Sequence, residues 1–311
     1  MNDRLVTLLG GGGFLGRYVA QELLRAGARV RIAQRKPRDA FFLRPLGGVG
    51  QTQFIAADLT RPETIERACD GADAVLNLVG SWSNFDALHV QGAQTAAQAA
   101  ARAGAAAFVQ ISAIGADPDS QSTYARSKAE GEHAVREAFP GATILRPTTV
   151  FGREDAFVNR FAGMIATLPV APVLRPQAKF QPVYVADVAE AAARALFEPR
   201  HHGGRVYELG GPDVLTMAEL LRWIAKAVGR DPAFVELPDA LGSMLATFGS
   251  LPGAPITREQ WKMLQRDAVV SPGAEGLEAL GVSPTPLAAV APNWLVRFRR
   301  YGRFGQAGEP A

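Results

Sequence analysis

A single cysteine, Cys69, stands among the 311 residues. No disulfide can form within the chain, and a reducing compartment fits best. Long apolar runs are missing: none reaches the ~18 residues of a membrane-crossing helix. Lysine is scarce. Lys36, Lys128, Lys179, Lys226 and Lys262 are the only lysines among 33 basic residues, and the rest are arginines. These are spread along the chain rather than gathered in a block, and 30 acids leave a net charge of only +3. That pattern speaks against a nucleic-acid partner. The histidines, His89, His133, His201 and His202, pair with no cysteine or carboxylate at ligand spacing, so no metal site is expected. A strand is expected within a few residues of Met1, and with it no signal or transit peptide. What remains is ordinary globular composition, 48% hydrophobic and 20% charged. The length suits one large domain or two lobes sharing a cleft.

The first half alternates short apolar, β-branched runs with helical stretches. Strands are expected at 4–10, 29–35, 51–59, 72–80, 106–112 and 142–147. Helices are expected at 14–28, 62–71, 85–104 and 122–139. Strands alternating with helices imply right-handed crossovers and a parallel sheet covered on both faces. The expected fold is α/β, a doubly wound Rossmann-type sheet with a smaller C-terminal α/β lobe. Residues 1–150 form the nucleotide-binding domain, with 181–200 returning to it. Residues 151–311 form the smaller substrate or docking lobe, where prolines become dense. Within it, 216–229 reads as a helix with Thr216 and Glu219 at capping-box spacing and Gly229 at its end.

The run "LLGGGGFLG" (8–16) follows a strand and opens a helix. Gly10 permits the tight turn, Gly13 lets backbone approach a diphosphate, and Gly16 lets the helix lie close to the sheet. The first helical turn, Phe14, Leu15, Gly16 and Arg17, offers N–H groups and a positive dipole end to phosphate. Gly11 and Gly12 read as incidental to binding. A merely flexible turn is the alternative, but the strand–turn–helix context favours a nucleotide.

An NAD-selective site places Asp or Glu at the end of the second strand. Here the sequence is "RIAQRKPR" (31–38), without an acid. Arg35 suits a 2′-phosphate, which it can bind bidentately, with help from Arg17, so NADP(H) is favoured over NAD(H). Asp58 and Leu59 follow the third strand, where Asp58 can accept from the adenine amine or simply cap a turn. Asn77, Val79 and Gly80 end the fourth strand where a ribose would pass. Alternatively, Asn77 satisfies backbone groups.

"STYARSK" (122–128) places Tyr124 and Lys128 four apart on one helix face. An ammonium beside a phenol stabilises phenolate and lowers its pKa, which suits general acid–base work. Ser112, at the end of the fifth strand, can hydrogen-bond a substrate carbonyl or serve only as a turn serine.

The glycine turn, the Tyr-x-x-x-Lys pair and "RPTTVFG" (146–152) resemble an extended or atypical short-chain dehydrogenase/reductase. "RPLGGVGQ" (44–51), "FGREDAFVNRFA" (151–162), "QPVYVADVA" (181–189), "ITREQ" (256–260) and "EGLEALGVSPTPL" (275–287) are similar to the NADPH-binding accessory subunits of respiratory complex I, in their bacterial form. The likeness spans about 4–300. It implies a protein that holds NADPH without established turnover and docks on the peripheral arm near the membrane, on the cytoplasmic face. It also places Gly10, Gly13 and Gly16 at the phosphates, and Arg17 and Arg35 near the 2′-phosphate. Lys128 falls on the nicotinamide ribose, and Pro147, Thr148 and Val150 beside the nicotinamide. One departure stands out: Ser112 is followed by Ala113 and Ile114, where extended reductases carry serine or threonine clusters. An active NADP-dependent reductase, epimerase or dehydratase acting on a sugar nucleotide, and a sensor of the NADPH/NADP⁺ ratio, are the other readings. The tail "NWLVRFRRYGRF" (293–304) interleaves aromatics with arginines, suited either to a membrane or partner surface or to docking on its own lobe. The apolar stretch 240–255 is a second candidate for partner contact.

Overall fold

The computed structural model describes residues 3–249 and 256–302. It resolves into two compact units. The first comprises Met1–Pro147, Val185–Leu209 and Ser271–Ser283, and the second Thr148–Tyr184, Gly210–Val270 and Pro284–Ala311. Ser271–Ser283, placed in the second lobe on sequence grounds, belongs to the first unit, because Glu208 takes it as a neighbour. The Glu208 carboxylate accepts from Ser271 N at 2.7 Å, and its own N–H donates to Glu275 O at 2.9 Å.

The first unit is built on a seven-stranded parallel sheet. In chain order its strands are β1 (Leu5–Leu9), β2 (Arg29–Gln34), β3 (Thr52–Ala56), β4 (Ala74–Asn77), β5 (Ala107–Ile111), β6 (Thr143–Pro147) and Val206–Leu209. Across the sheet the order is Val206–Leu209, β6, β5, β4, β1, β2, β3. The order reverses at β1, so the connections leaving the paired ends of β1 and β4 run to opposite faces of the sheet and leave a crevice between them. Val6, Leu8, Val30, Ile32, Val75, Leu76, Phe108 and Val109 are fully buried. The strands read as continuous apolar runs because helices cover both faces. Helices α1 (Phe14–Arg25) and Val185–Phe197 pack together on one side, and α2 (Pro62–Cys69), α3 (Gly92–Arg102) and α4 (Thr123–Ala138) on the other. The expected helix 85–104 starts as a π-helical turn, Asp86–Gln91, before α3. A one-residue insertion of this kind leaves no periodic trace in the sequence.

In the second unit, helices Val158–Thr167 and Met217–Val228 pack around a core that includes Phe151, Ile165, Leu220, Ile224 and Leu295. Small two-stranded sheets flank them. Thr216 and Glu219 make the expected capping box, and Gly229 ends the helix at φ +66°. The described part of the tail docks on this unit. Trp294 and Leu295 are buried in its core, Arg297 donates to Arg153 O at 3.2 Å, and Arg299 donates to Ala227 O at 3.0 Å. Positions 303 and 304 lie outside the described residues. Within 240–255, the helix Asp239–Thr247 leaves Leu241, Met244 and the following Phe248 exposed, while 250–255 lie outside the described residues. Among the described residues, no helix is long and apolar enough to cross a membrane.

Candidate functional site

β1 ends at Leu9 and α1 starts at Phe14, so Gly10–Gly13 form the connection. Gly10 has φ +82°, a conformation that side chains disfavour. Its N–H donates to Ala33 O at 2.8 Å and ties the turn to β2. A Cβ on Gly16 would collide with the Gly11 backbone. A Cβ on Gly11 would lie 2.8 Å from Leu8 Cβ, and one on Gly12 would strike the Gln34 side chain. Gly11 and Gly12, read as incidental to binding, are thus demanded by packing within the protein. Gly13 is different. It is exposed, and the nearest atom to a Cβ there is Gly10 O at 3.3 Å. A side chain there would meet far less of the protein than one at Gly11, Gly12 or Gly16, and the bare backbone leaves room for a ligand. Helix α1 has no side-chain cap and no acid in its first turn, so its positive end is not neutralised from within. The turn fits a dinucleotide diphosphate.

Beside the turn lies a cleft of about 840 Å³ lined by Gly10, Gly12, Gly13, Arg35, Lys36, Asp58, Leu59 and Val79, among others. Gln34, at the end of β2, is turned into the glycine turn. Its Oε1 accepts from Gly12 N at 3.0 Å and its Nε2 donates to Lys36 O at 2.7 Å. Arg35 is exposed on the cleft wall. Asp39, just beyond the stretch weighed in the sequence, also lines it.

The other candidates divide. Asp58 Oδ1 accepts from Thr60 N at 3.0 Å and Thr60 Oγ1 at 2.8 Å. The Thr60 N–H bond in particular holds the carboxyl below its usual range, with a smaller contribution from the Arg35 charge. That oxygen caps a turn, as the alternative had it. Asn77 is wholly buried. It donates to Gln110 Oε1 at 2.9 Å and accepts from Val79 N at 3.2 Å, so it shapes the strand end rather than lining the cleft. Arg17 stacks its guanidinium over Phe42 at 4.7 Å, while Phe14 meets Tyr18 edge-on at 6.1 Å and Leu15 is half-buried. Gly80 is exposed, and a Cβ there would lie 3.9 Å from Lys128 Nζ. Pro147 ends β6, and its carbonyl accepts from Ile114 N at 3.0 Å. Thr148 and Val150 fall in the second unit, where the Thr148 hydroxyl donates to Gln181 O and Val150 pairs with Val183.

Tyr124 and Lys128 share a face of α4. Lys128 Nζ lies 5.8 Å from the Tyr124 ring centroid and donates to Ile111 O at 3.4 Å. The expected lowering of the phenol does not appear: burial pushes Tyr124 up to about 12. Burial also pulls Lys128 down to about 8, against the opposing Glu132 charge. The Tyr124 ring stacks on Trp82 at 4.5 Å and 18°, with Phe85 and His89 edge-on at 6.0 Å and 5.5 Å. His89 is buried. Its Nε2 accepts from Ser81 N at 3.1 Å, and its Nδ1 lies 2.9 Å from Ser127 Oγ, which itself donates to Tyr124 O. These partners assign a neutral ring protonated on Nδ1. Burial and the Lys128 charge pull its pKa down to about 3.

Ser112 points elsewhere than expected. Its hydroxyl donates to Glu132 Oε1 at 2.5 Å. Glu132 in turn grips Arg146 through bonds of 2.9 and 2.7 Å, and Arg146 reaches Glu208 at 3.5 Å. The serine proton is therefore committed to a buried ion network rather than to a carbonyl facing the site. Glu132, Arg146, Trp82 and His89 were all missed by sequence reasoning. Only Glu132, four residues after Lys128, carried a local signal.

The model of the NAD dependent epimerase/dehydratase family matches residues 6–210. The chain belongs to this family. Within it, the chain is similar to NADH dehydrogenase (ubiquinone) 1 alpha subcomplex subunit 9, mitochondrial, of Mus musculus, at 35% identity over 306 residues. These cover 96% of this chain and 81% of that protein. The same subunit of Arabidopsis thaliana is 32% identical, covering 96% and 79%. Similarity extends to a ceramide reductase of Caulobacter vibrioides, 31% identical over 81% of this chain and 80% of that one. Among solved structures, the NADPH-dependent quinone oxidoreductase of Escherichia coli complexed with NADPH superposes with a TM-score of 0.76 at 21% identity. That match covers 93% of this chain and 99% of the other, and the likeness is one of fold. The epimerase/dehydratase fold accounts for the glycine turn and the cleft, and the chain is similar both to respiratory subunits and to a reductase.

Proposed function

We propose that this member of the epimerase/dehydratase family is an NADPH-holding accessory subunit of respiratory complex I, with the nucleotide kept for structure or regulation rather than turned over. One observation carries this reading: of the two groups that would serve a carbonyl, one hydroxyl is committed elsewhere and the other's ring face is covered. The Ser112 hydroxyl is given to Glu132, and the Tyr124 ring lies under Trp82 with its phenol raised rather than lowered. Similarity to the mouse and Arabidopsis subunits supports the choice of assembly. Gly10, Gly13 and the first turn of α1 would hold the diphosphate, Arg35 the 2′-phosphate, and Lys128 the nicotinamide ribose. The bound nucleotide supplies a transferable hydride. In a bacterial cell the docking site is the peripheral arm, on the cytoplasmic face of the inner membrane. The test is a pull-down from detergent-solubilised membranes combined with mass spectrometry of released nucleotide. Quinone oxidoreductase subunits and NADP(H) are expected together; a protein that brings down neither is not this subunit.

A second reading, an active NADP-dependent reductase, is favoured by the kept Tyr124–Lys128 pair, by a Lys128 ammonium already near about 8, and by similarity to the ceramide reductase. A substrate screen with Tyr124→Phe as control decides it: turnover that this substitution abolishes supports the reductase.

A further inference from the structure

The loop after β4 has features that a simple connection does not require. Ser81 N donates to His89 Nε2 at 3.1 Å, and Ser83 N donates to Ser81 Oγ at 3.1 Å. Asn84 takes φ +52°, left-handed for a residue with a side chain, and its carbonyl accepts from Leu88 N at 3.1 Å. The loop is pinned on both sides of Trp82. The result is an indole lying flat on Tyr124, 4.5 Å away and 18° from parallel, although Trp82 remains 52% exposed. Phe85 and His89 wall the edges of the same slot. An exposed tryptophan held this closely over one tyrosine is doing what a flat bound molecule would do. The group stacked there is a planar two-ring indole, and beneath it lies the one phenol that stands four residues from a buried lysine.

We propose that Trp82 is a built-in occupant of a substrate slot, and that the site beneath it retains a latent reductase activity toward flat two-ring aromatic aldehydes and ketones. This rests on the reading that the subunit holds NADPH without turning it over, and it supplies the reason. With the indole gone, a planar carbonyl compound stacks on Tyr124 in its place. The balanced step is a two-electron reduction. A bound NADPH would supply the hydride for the new C–H bond at the carbonyl carbon, and the Tyr124 hydroxyl would give its proton to the oxygen. Carbonyl becomes alcohol, dihydronicotinamide becomes nicotinamide, and the phenolate is reprotonated from solvent beside the Lys128 ammonium. His89, neutral and fixed by Ser81 and Ser127, keeps the slot wall in place.

Trp82→Ala tests the proposal, with Trp82→Phe as the conservative variant and Tyr124→Phe as the control. The first readout needs no cofactor: acetylation of tyrosines by N-acetylimidazole at neutral pH, mapped by mass spectrometry. Tyr124 is expected to resist in the wild type and in Trp82→Phe, and to be modified at least tenfold faster in Trp82→Ala. The second is formation of 2-naphthylmethanol from 2-naphthaldehyde and NADPH, followed by chromatography. Trp82→Ala is expected to exceed the wild type at least tenfold, and Trp82→Ala/Tyr124→Phe to return to background. Unchanged Tyr124 modification in Trp82→Ala, with folding verified by circular dichroism, overturns the proposal because the indole is then no cover. Faster modification without product overturns the latent activity. A wild type that already matches Trp82→Ala overturns the mask and the non-turnover reading together. Failure to co-purify with respiratory subunits overturns the assembly reading alone.

Discussion

His89 and Glu132 show how single residues near Tyr124 link burial to pH and stability. Folding holds His89 neutral, with its pKa near about 3 against an ordinary 6.5. Between those values the unfolded chain binds a proton that the folded one excludes. Its contribution to stability is therefore complete above pH 6.5 and is lost as pH falls toward 3. The urea midpoint should decline from pH 6.5 to 5, and His89→Gln should flatten that decline; parallel curves would assign the slope to other groups. Glu132 is buried, with Arg146 as its bidentate partner. Removing one member of a fully buried pair costs about 3–5 kcal/mol. Arg146 keeps Glu208 at 3.5 Å, so Glu132→Gln should lose less, about 1–3 kcal/mol, in chemical denaturation at neutral pH. A loss below ~1 kcal/mol would mean that solvent reaches the Arg146 guanidinium and screens it.

At the scale of elements, the turn between β1 and α1 separates glycines needed by the fold from one left for a ligand. Gly12→Ala drives a methyl into Gln34 and to within 2.8 Å of Ala40. It should lower the melting temperature and the nucleotide affinity together. Gly13→Ala meets only Gly10 O at 3.3 Å, so it should leave the melting temperature within a few degrees of wild type while nucleotide affinity falls at least tenfold. Isothermal titration and thermal denaturation of the two variants check this, and equal effects at both positions would remove the distinction. A similar close approach sets the π-helical turn Asp86–Gln91 against α4: a Cβ on Gly131 would collide with His89 O, so the two helices touch through backbone. That contact fixes Tyr124 and Lys128 relative to His89. Strands β1–β6 and helices α1–α4 were legible because apolar runs, capping residues and terminal glycines are local signals. The π-helical insertion was not, since it changes neither composition nor hydrophobic period.

For the molecule as a whole, the first unit carries the cleft, and nucleotide binding should appear as stability. A ligand at a hundredfold its Kd stabilises by about 2.7 kcal/mol. NADPH should therefore raise the denaturation midpoint at concentrations where NADH does little. Arg35→Ala should erase most of that difference, by tenfold or more in NADPH affinity, since a charge-assisted bond contributes about 1.5–3 kcal/mol. Equal loss for both nucleotides would show that Arg35 does not read the 2′-phosphate. The chain alone determined the doubly wound sheet, the glycine turn, the basic end of β2 and the Tyr124–Lys128 spacing, because each follows from neighbours within a few residues. Tertiary structure decided what those groups do with their hydrogen bonds and faces. Ser112 meets Glu132 20 residues away, Asn77 meets Gln110 33 away, and Trp82 reaches Tyr124 across the π-helical turn, α3 and β5. Burial, not spacing, then set the phenol and the ammonium. Desolvation depends on everything packed around a group, and no local stretch of sequence contains that.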